Sequence, residues 1–314
     1  MSVSLSVSKT SLSRSQVFSR LLGSFCFVLC LFFSQQVWAG AWTKWPGQIY
    51  VKVSENAYLA DGFIDSSGQF QPGTSYLNLT SSIYFEAGIL PGLHFQGFLP
   101  YSISRNSFDS GAVYRQGSFS DGRVGLQFSP LPKWFSSGRL PFPMAVRALF
   151  KIPMYDVGFI QSQKELTTAQ INGFPAQGDG QLDIDLWLSA GIGKGRFYGF
   201  IEAGYSFRTE IFVGDGGGRE FADSLMFFGQ AGYNFFGKIL VGFALNSVVP
   251  LSFEDRFTKG YLTTDLSLYI PIYKGLAFEA AGSYTVWAHN SAQGFSINAG
   301  ISYQADLKKM FSKR

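Results

Sequence analysis

The sequence predicts an all-β fold: a transmembrane antiparallel up-and-down β-barrel of about 12 strands, preceded by a cleaved signal peptide. Three observations carry that expectation. Apolar and polar residues alternate with period two along nearly the whole chain after residue 47, the spacing of a sheet with two unlike faces. Most alternating runs cover 10–15 residues, well above the ~5–6 usual in globular strands and enough for a tilted membrane strand of roughly 9–11. The connections between runs alternate between short and long, the asymmetry of periplasmic turns and outer loops.

The first 39 residues stand apart. Lys9, Arg14 and Arg20 are basic, and no acid precedes Glu55. An apolar run from Leu21 to Phe33 follows, about 13 residues and short of the ~20 that span a bilayer as a helix. Val37-Trp38-Ala39 then gives a small-x-small exit. This three-part pattern reads as a signal peptide, 1–39, cleaved after Ala39, with Ala41 as the second option. Neither Cys26 nor Cys30 follows a small residue, so a lipoprotein signal does not fit. The barrel is assigned to 40–305 and a short basic periplasmic tail to 306–314.

Removing the leader changes the composition. Both cysteines go with it, which excludes disulfides and thiol chemistry from the rest. Three of the 25 basic residues also leave, so 22 basic against 21 acidic residues give +1. That balance offers no basic surface for nucleic acid. Two histidines without cysteine make a structural zinc site a poor fit, and no cofactor is expected. Aromatics at 17% and abundant glycine suit a barrel.

Taken in order, the strands are expected at 48–57, 77–87, 93–103, 124–128, 143–154, 181–192, 197–207, 227–235, 239–245, 261–272, 276–288 and 294–305. In "QLDIDLWLSAGI", Leu182, Ile184, Leu186, Leu188, Ala190 and Ile192 share one face, and Gln181, Asp183, Asp185, Trp187 and Ser189 the other. Short turns fall at Leu90-Pro91-Gly92, Lys194-Gly195-Arg196, Phe236-Gly237-Lys238 and Tyr273-Lys274-Gly275. Long loops are expected at 58–74, 104–118, 156–177, 212–221 and 251–259, and 131–142 breaks the alternation. An even strand count puts both ends on the periplasmic side. Aromatics gather at run ends: Phe135, Phe142, Phe197, Phe235, Phe236 and Tyr273 near the turns, Tyr101, Tyr155, Phe212, Phe253 and Tyr261 near the loops. Two interfacial girdles account for them. A soluble β-sandwich also alternates, but strand length, loop asymmetry and the leader favour the barrel.

The segments "AGAWTKWPGQIYVKVSENAY", "SIYFEAGILPGLHFQGFLPYS", "FSDGRVGLQFSP" and "GDGQLDIDLWLSAG" resemble Gram-negative outer-membrane barrels of the transporter-like type grouped with the phenol meta-cleavage pathway outer-membrane protein. The resemblance covers most of the chain and rests mainly on strand grammar. It implies passage of small, often hydrophobic or aromatic, molecules and carries over no substrate residue.

With apolar faces on lipid, the candidate lumen-lining residues are Arg123, Arg147, Lys151, Asp183, Asp185, Trp187, Glu202, Arg208, Asp265 and Glu279, with Glu210 on the same face. Arg147 and Lys151 are expected beside the strand carrying Asp183 and Asp185. Opposed acidic and basic columns serve either as a transverse field across a wet constriction or as braces in a filled barrel. Twelve strands lie between the filled barrels of about eight and the open channels of sixteen or more, so both readings stand. Inward aromatics Phe98, Trp187, Tyr198, Phe200 and Trp287 either guide aromatic solutes or fill space.

Other signals are weak. "GDGGGRE" (214–220) and "GIGKGR" (191–196) lack the ending of a phosphate loop. The Asn78-Leu79-Thr80 sequon sits mid-strand, and "GDGQLDID", a calcium-like cluster, is better explained by ion pairing. His289-x-Ser291 resembles the pair of outer-membrane lipid hydrolases, but Ala292 stands where those have Asn, and no Glu follows Glu279. Asn298-x-Gly300-x-x-Tyr303 resembles part of the C-terminal signal read by the barrel-assembly machinery, with Ala305 in place of its final aromatic. The function expected is a non-enzymatic passive channel for small solutes in the Gram-negative outer membrane, with lipids as neighbours. The alternatives are a lipid-modifying hydrolase using His289 and Ser291, or a structural or adhesion barrel.

Overall fold

A computed structural model describes residues 41–129, 142–155, 173–212, 221–236, 238–253 and 258–307. The expected signal peptide, residues 130–141, 156–172 and 254–257, the 214–220 stretch and the tail beyond residue 307 lie outside them.

Thirteen strand segments follow one another: β1 (Gln48–Ile64), β2 (Phe70–Leu90), β3 (Leu93–Phe108), β4 (Val113–Phe119), β5 (Asp121–Phe128), β6 (Met144–Pro153), β7 (Gln181–Lys194), β8 (Phe197–Phe212), β9 (Ser224–Phe235), β10 (Ile239–Pro250), β11 (Gly260–Tyr273), β12 (Leu276–His289) and β13 (Ser291–Asp306). Apart from β4 and β5, consecutive strands pair antiparallel, and β1 pairs with β13 from Gln48↔Asp306 to Ile64↔Ser291, closing the sheet. Both β4 and β5 pair with β3, one above the other, and are halves of a single stave interrupted at Ser120. The result is a closed barrel of 12 staves, with no open sheet edge to satisfy.

The period-two pattern builds the two faces directly. On β7, Asp183, Asp185 and Ser189 are buried while Leu186, Leu188 and Ile192 are exposed. The same split runs round the wall, with Phe150, Ile201, Phe227, Phe243 and Ile301 turned outward. In water such a belt would be an aggregation surface; in hydrocarbon it is solvated.

Two expected outer loops are strand instead. The 58–74 region is the end of β1, a turn at 65–69 and the start of β2, and 104–118 is β3 running to Phe108 with β4 returning from Val113. Asp65 caps the first of these turns, accepting hydrogen bonds from the Ser67 and Gln69 amides (2.8 and 2.9 Å) and from Ser67 and Gln71 side chains. Those donors, the Ser67 hydroxyl first, hold its carboxyl down at about 2. In 104–118 polar residues on both faces hid the pairing from a hydrophobic pattern, and in 58–74 Gly62, Gly68, Pro72 and Gly73 interrupt it.

The expected girdles survive in part. Phe197, Phe236 and Tyr273 are exposed at the turn end, and Tyr101 and Phe253 at the loop end. Tyr155 and Tyr261 do not join them: Tyr155 is buried and its hydroxyl accepts the Gly180 amide at 2.7 Å, and Tyr261 lines an internal cavity.

The N-terminal residues 41–47 cross the turn-side mouth of the barrel from β1 to β7 and β8. Ala41 is buried and the Trp42 ring meets Phe200 edge-on at 6.1 Å. Gly191 makes room, since a Cβ there would touch both Trp42 and Ala41. Lys44 fixes the middle of the segment through Glu86 (3.1 Å) and the Nδ1 of His94, which accepts its amide at 3.2 Å.

Candidate functional site

The barrel interior divides by the chemistry of its staves. On β5 to β8 it is charged. Lys151 on β6 meets Asp183 on β7 at 2.5 Å and Asp179 at 2.6 Å, with Asp121 at 3.9 Å. Arg208 on β8 reaches the same Asp183 through Nε at 3.0 Å and also pairs with Asp179. Arg123 lies 3.7 Å from Asp185, whose other oxygen accepts the Ser206 hydroxyl at 2.6 Å. Deeper, Arg147 donates to Glu202 at 3.0 Å, and Ser189 donates to the same carboxylate at 2.6 Å. Alternation places all these groups inward, where each charge must be paired or wet.

Asp179 comes from the loop before β7. The described part of that loop, Gly173–Gly180, folds across the outer end of the barrel. Gln177 donates to Ser104 (3.2 Å) and the Gln116 carbonyl (3.3 Å), Asn106 donates to the Gly173 carbonyl (2.9 Å), and Phe174 packs edge-on against Tyr114 at 5.2 Å. Burial pushes the Asp179 carboxyl up, but Lys151 and Arg208 outweigh it and hold it below the ordinary aspartate value.

Beside the charged wall lies an apolar cluster of Leu149, Trp187, Phe200, Met226, Phe228 and Ala244. Arg147 lies over the Trp187 ring at 5.1 Å, and Gly204 lacks the Cβ that would strike that ring. Trp187 and Phe200 therefore fill space, with Tyr198 packed against them.

The remaining staves surround a cavity of about 540 Å³. Its wall is mostly uncharged and polar: Ser54, Asn56 and Tyr58 on β1; Tyr76, Asn78, Thr80, Ser82 and Tyr84 on β2; Asn246 on β10; Thr263 and Ser267 on β11; Ser283 and Thr285 on β12; Ser296 and Asn298 on β13. Many of these hydroxyls pair across strands, as Ser54 with Ser82 (3.0 Å), Thr80 with Ser102 (2.8 Å) and Ser283 with Ser296 (2.8 Å). Below the cavity, Glu279 accepts the Tyr50 hydroxyl at 2.6 Å and pairs with Lys52 at 3.0 Å.

Of the ten residues picked from sequence, Arg123 and Asp265 line this cavity. Lys151, Asp183, Asp185 and Arg208 form the charged cluster, Arg147 and Glu202 the pair beneath it, Trp187 the apolar cluster, and Glu279 the pair with Lys52. The expected neighbour relation holds for Lys151, directly opposite Asp183, but Arg147 sits opposite Trp187 and finds its acid one strand farther, on β8. Glu210, near the outer end of β8, is exposed. Trp287 is a correction. The β11–β12 register places Leu262 against Trp287 and Thr263 against Thr285, so Val286 is an extra residue and the bulge turns Trp287 outward.

His289 is buried with its ring edge-on to Phe253 at 4.8 Å, and Ser291 is paired to Ile64 on the far side of the Asn290 turn. No hydrogen bond joins His289 to Ser291 among the described residues. Asn298 and Tyr303 face opposite sides of β13, Asn298 into the cavity and Tyr303 outward.

Sequence reasoning missed the neutral wall, the loop residues Gln177 and Asp179, and the 41–47 segment. A signal existed for the first: the alternating Tyr76, Asn78, Thr80, Ser82 and Tyr84 share one face of β2. The other two depend on irregular backbone, which no periodicity marks.

No protein-family model and no curated protein matches the chain. Solved structures do. The COG4313 outer-membrane channel from Pseudomonas putida F1 superposes with a TM-score of 0.67 at 9% identity, over 86% of this chain and 100% of that one. The translocator domain of autotransporter NalP from Neisseria meningitidis follows at 0.47 and 11% identity, over 92% and 95%. The TodX monoaromatic hydrocarbon channel gives 0.43 and 10%, over 83% and 90%. At these identities the likeness is one of fold, and the fold is that of an outer-membrane β-barrel.

Proposed function

We propose that this protein is a passive channel for small solutes in the outer membrane of a Gram-negative bacterium. The observation that carries the reading is the cavity of about 540 Å³, lined mostly by polar residues and tyrosine rings, inside a closed barrel with an apolar outer belt. A barrel serving only as a scaffold gains nothing from an unfilled, polar interior, because filling it with side chains would add contacts. The fold shared with the Pseudomonas putida channel supports the same reading. No chemical step is required of it, and the separated His289 and Ser291 lend no support to a hydrolase.

Solute selection then falls to the lumen wall rather than to a single site. The aromatic residues expected to guide aromatic molecules divide differently in space: Phe98 borders the cavity, Trp187 and Phe200 fill the core, and Trp287 points outward. The reading is tested by refolding the protein into liposomes and following swelling in isosmotic glycerol. Swelling above protein-free vesicles is expected, and a barrel sealed to glycerol overturns the proposal.

A further inference from the structure

We propose that the cavity selects and binds uncharged, polyhydroxylated solutes of about monosaccharide size, an inference that rests on the channel reading. Four features of the wall point there. Its formal charges cancel, with Lys52 and Arg123 against Asp121 and Asp265. These charges are engaged with neighbours, among them Lys52 with Glu279 at 3.0 Å, Arg123 with Asp185 at 3.7 Å and Asp121 with Lys151 at 3.9 Å. An entering ion therefore finds no net countercharge to replace its hydration, and a confined, partly desolvated charge without a partner is costly.

Hydrogen-bonding groups are instead abundant and neutral. Asn56 and Asn298 stand directly opposite each other on β1 and β13. Both line the cavity, and Asn298 is 8% exposed. Wall amides and hydroxyls that can exchange their partners offer a solute hydroxyl both donors and acceptors. Asn246 and Thr263 form a second opposed polar pair across β10 and β11. The cavity also has ring surfaces, with Tyr58 and Tyr76 at 6.0 Å between centroids and Phe98 and Tyr261 on the same wall. Hydroxyl donors for the amides and a C–H face for the rings are the two halves of a sugar-like polyol. A purely apolar aromatic would meet the rings and offer nothing to the amides and hydroxyls, whereas a solute hydroxyl answers a wall built to hydrogen-bond it.

The test has a flux arm and a binding arm. In liposomes, glucose is expected to enter roughly tenfold or more faster than gluconate or protonated glucosamine of the same size, the penalty of one poorly solvated charge. In lauryldimethylamine oxide, radiolabelled glucose is expected to bind saturably in equilibrium dialysis. Asn298→Leu and, independently, Asn56→Leu are each expected to weaken that binding about threefold to tenfold, the loss of one hydrogen bond. Heat-modifiable mobility on gels identifies the folded variants, and two sites keep the test alive if one fails to fold. Equal or faster entry of the charged sugars, or no saturable glucose binding, overturns the inference. Failure of glycerol itself to enter overturns the channel reading, a result visible separately from the first.

Discussion

The β5–β8 wall and the wall running from β9 round to β3 belong to one barrel and obey one alternation, yet they use their inward positions differently. The first spends them on Lys151, Asp183, Arg208, Asp185, Arg147 and Glu202, locked into ion pairs that draw in the loop residue Asp179. The second places serine, threonine, asparagine and tyrosine around open volume. Ion pairs hold fixed geometry but leave little room, and removing one partner is severe because the other charge stays buried. Neutral hydroxyl ladders are individually weak, but they leave a wall that can exchange its partners for water or solute. The difference teaches that charge in this lumen is mainly a means of shaping it, and neutrality the means of using it.

The sharpest way to break the comparison is to unpair the charged wall. Arg147→Met leaves Glu202, among the described residues, with the Ser189 hydroxyl alone and is expected to cost about 3–5 kcal/mol, whereas Arg147→Met with Glu202→Met together should recover most of that. Urea unfolding of the refolded barrel, followed by tryptophan fluorescence, measures both.

Next in size is the attachment of Gly173–Gly180. Asp179→Asn removes the charge that faces Lys151 and Arg208 and is expected to weaken the attachment by about 1.5–3 kcal/mol. Acid should act the same way. The folded-state value of Asp179 is the depressed one, so its stabilisation is complete above the ordinary aspartate value of about 3.9 and fades as pH falls through the lower folded value. Asp121 and Asp183 share Lys151, and Arg208 faces Asp183 as well, so the release is a property of the cluster. An environment-sensitive dye on Ala176→Cys, in protein lacking residues 1–39 and so without other cysteine, should report release only at acid pH, and already at neutral pH when Asp179→Asn is added.

The smallest effects belong to the neutral wall. Ser54→Ala removes the pairing with Ser82 and Ser102→Ala the pairing with Thr80, and each is expected to change stability by no more than about 0.5–1.5 kcal/mol. Losses as large as that of Arg147→Met in the same urea titration would erase the distinction between the walls.

Particular residues show what the sequence makes legible. Lys151 opposite Asp183 follows from parity and from the adjacency of strands joined in one hairpin, both local rules. The partner of Arg147 does not, because Glu202 lies a strand farther round and only a long side chain in three dimensions makes the choice. Trp287 was misplaced by a single extra residue, Val286, since one bulge inverts every later parity assignment. The neutral wall was legible in "YLNLTSSIYFE", but a search led by charge and aromatic residues passes over serine and asparagine. Residues 41–47 and 173–180 carry no period at all, and their placement is fixed by contacts from distant strands, such as Lys44 with Glu86 and Asp179 with Lys151.

The claim that the inward charges are paired off, leaving a neutral path, has a direct readout. In a planar bilayer under a potassium chloride gradient at low ionic strength, where screening is weakest, the reversal potential gives the cation-to-anion permeability ratio. Paired walls are expected to give a ratio within about threefold of one. A reversal potential close to the ideal value for either ion would show an unbalanced charge commanding the lumen, and would contradict the account.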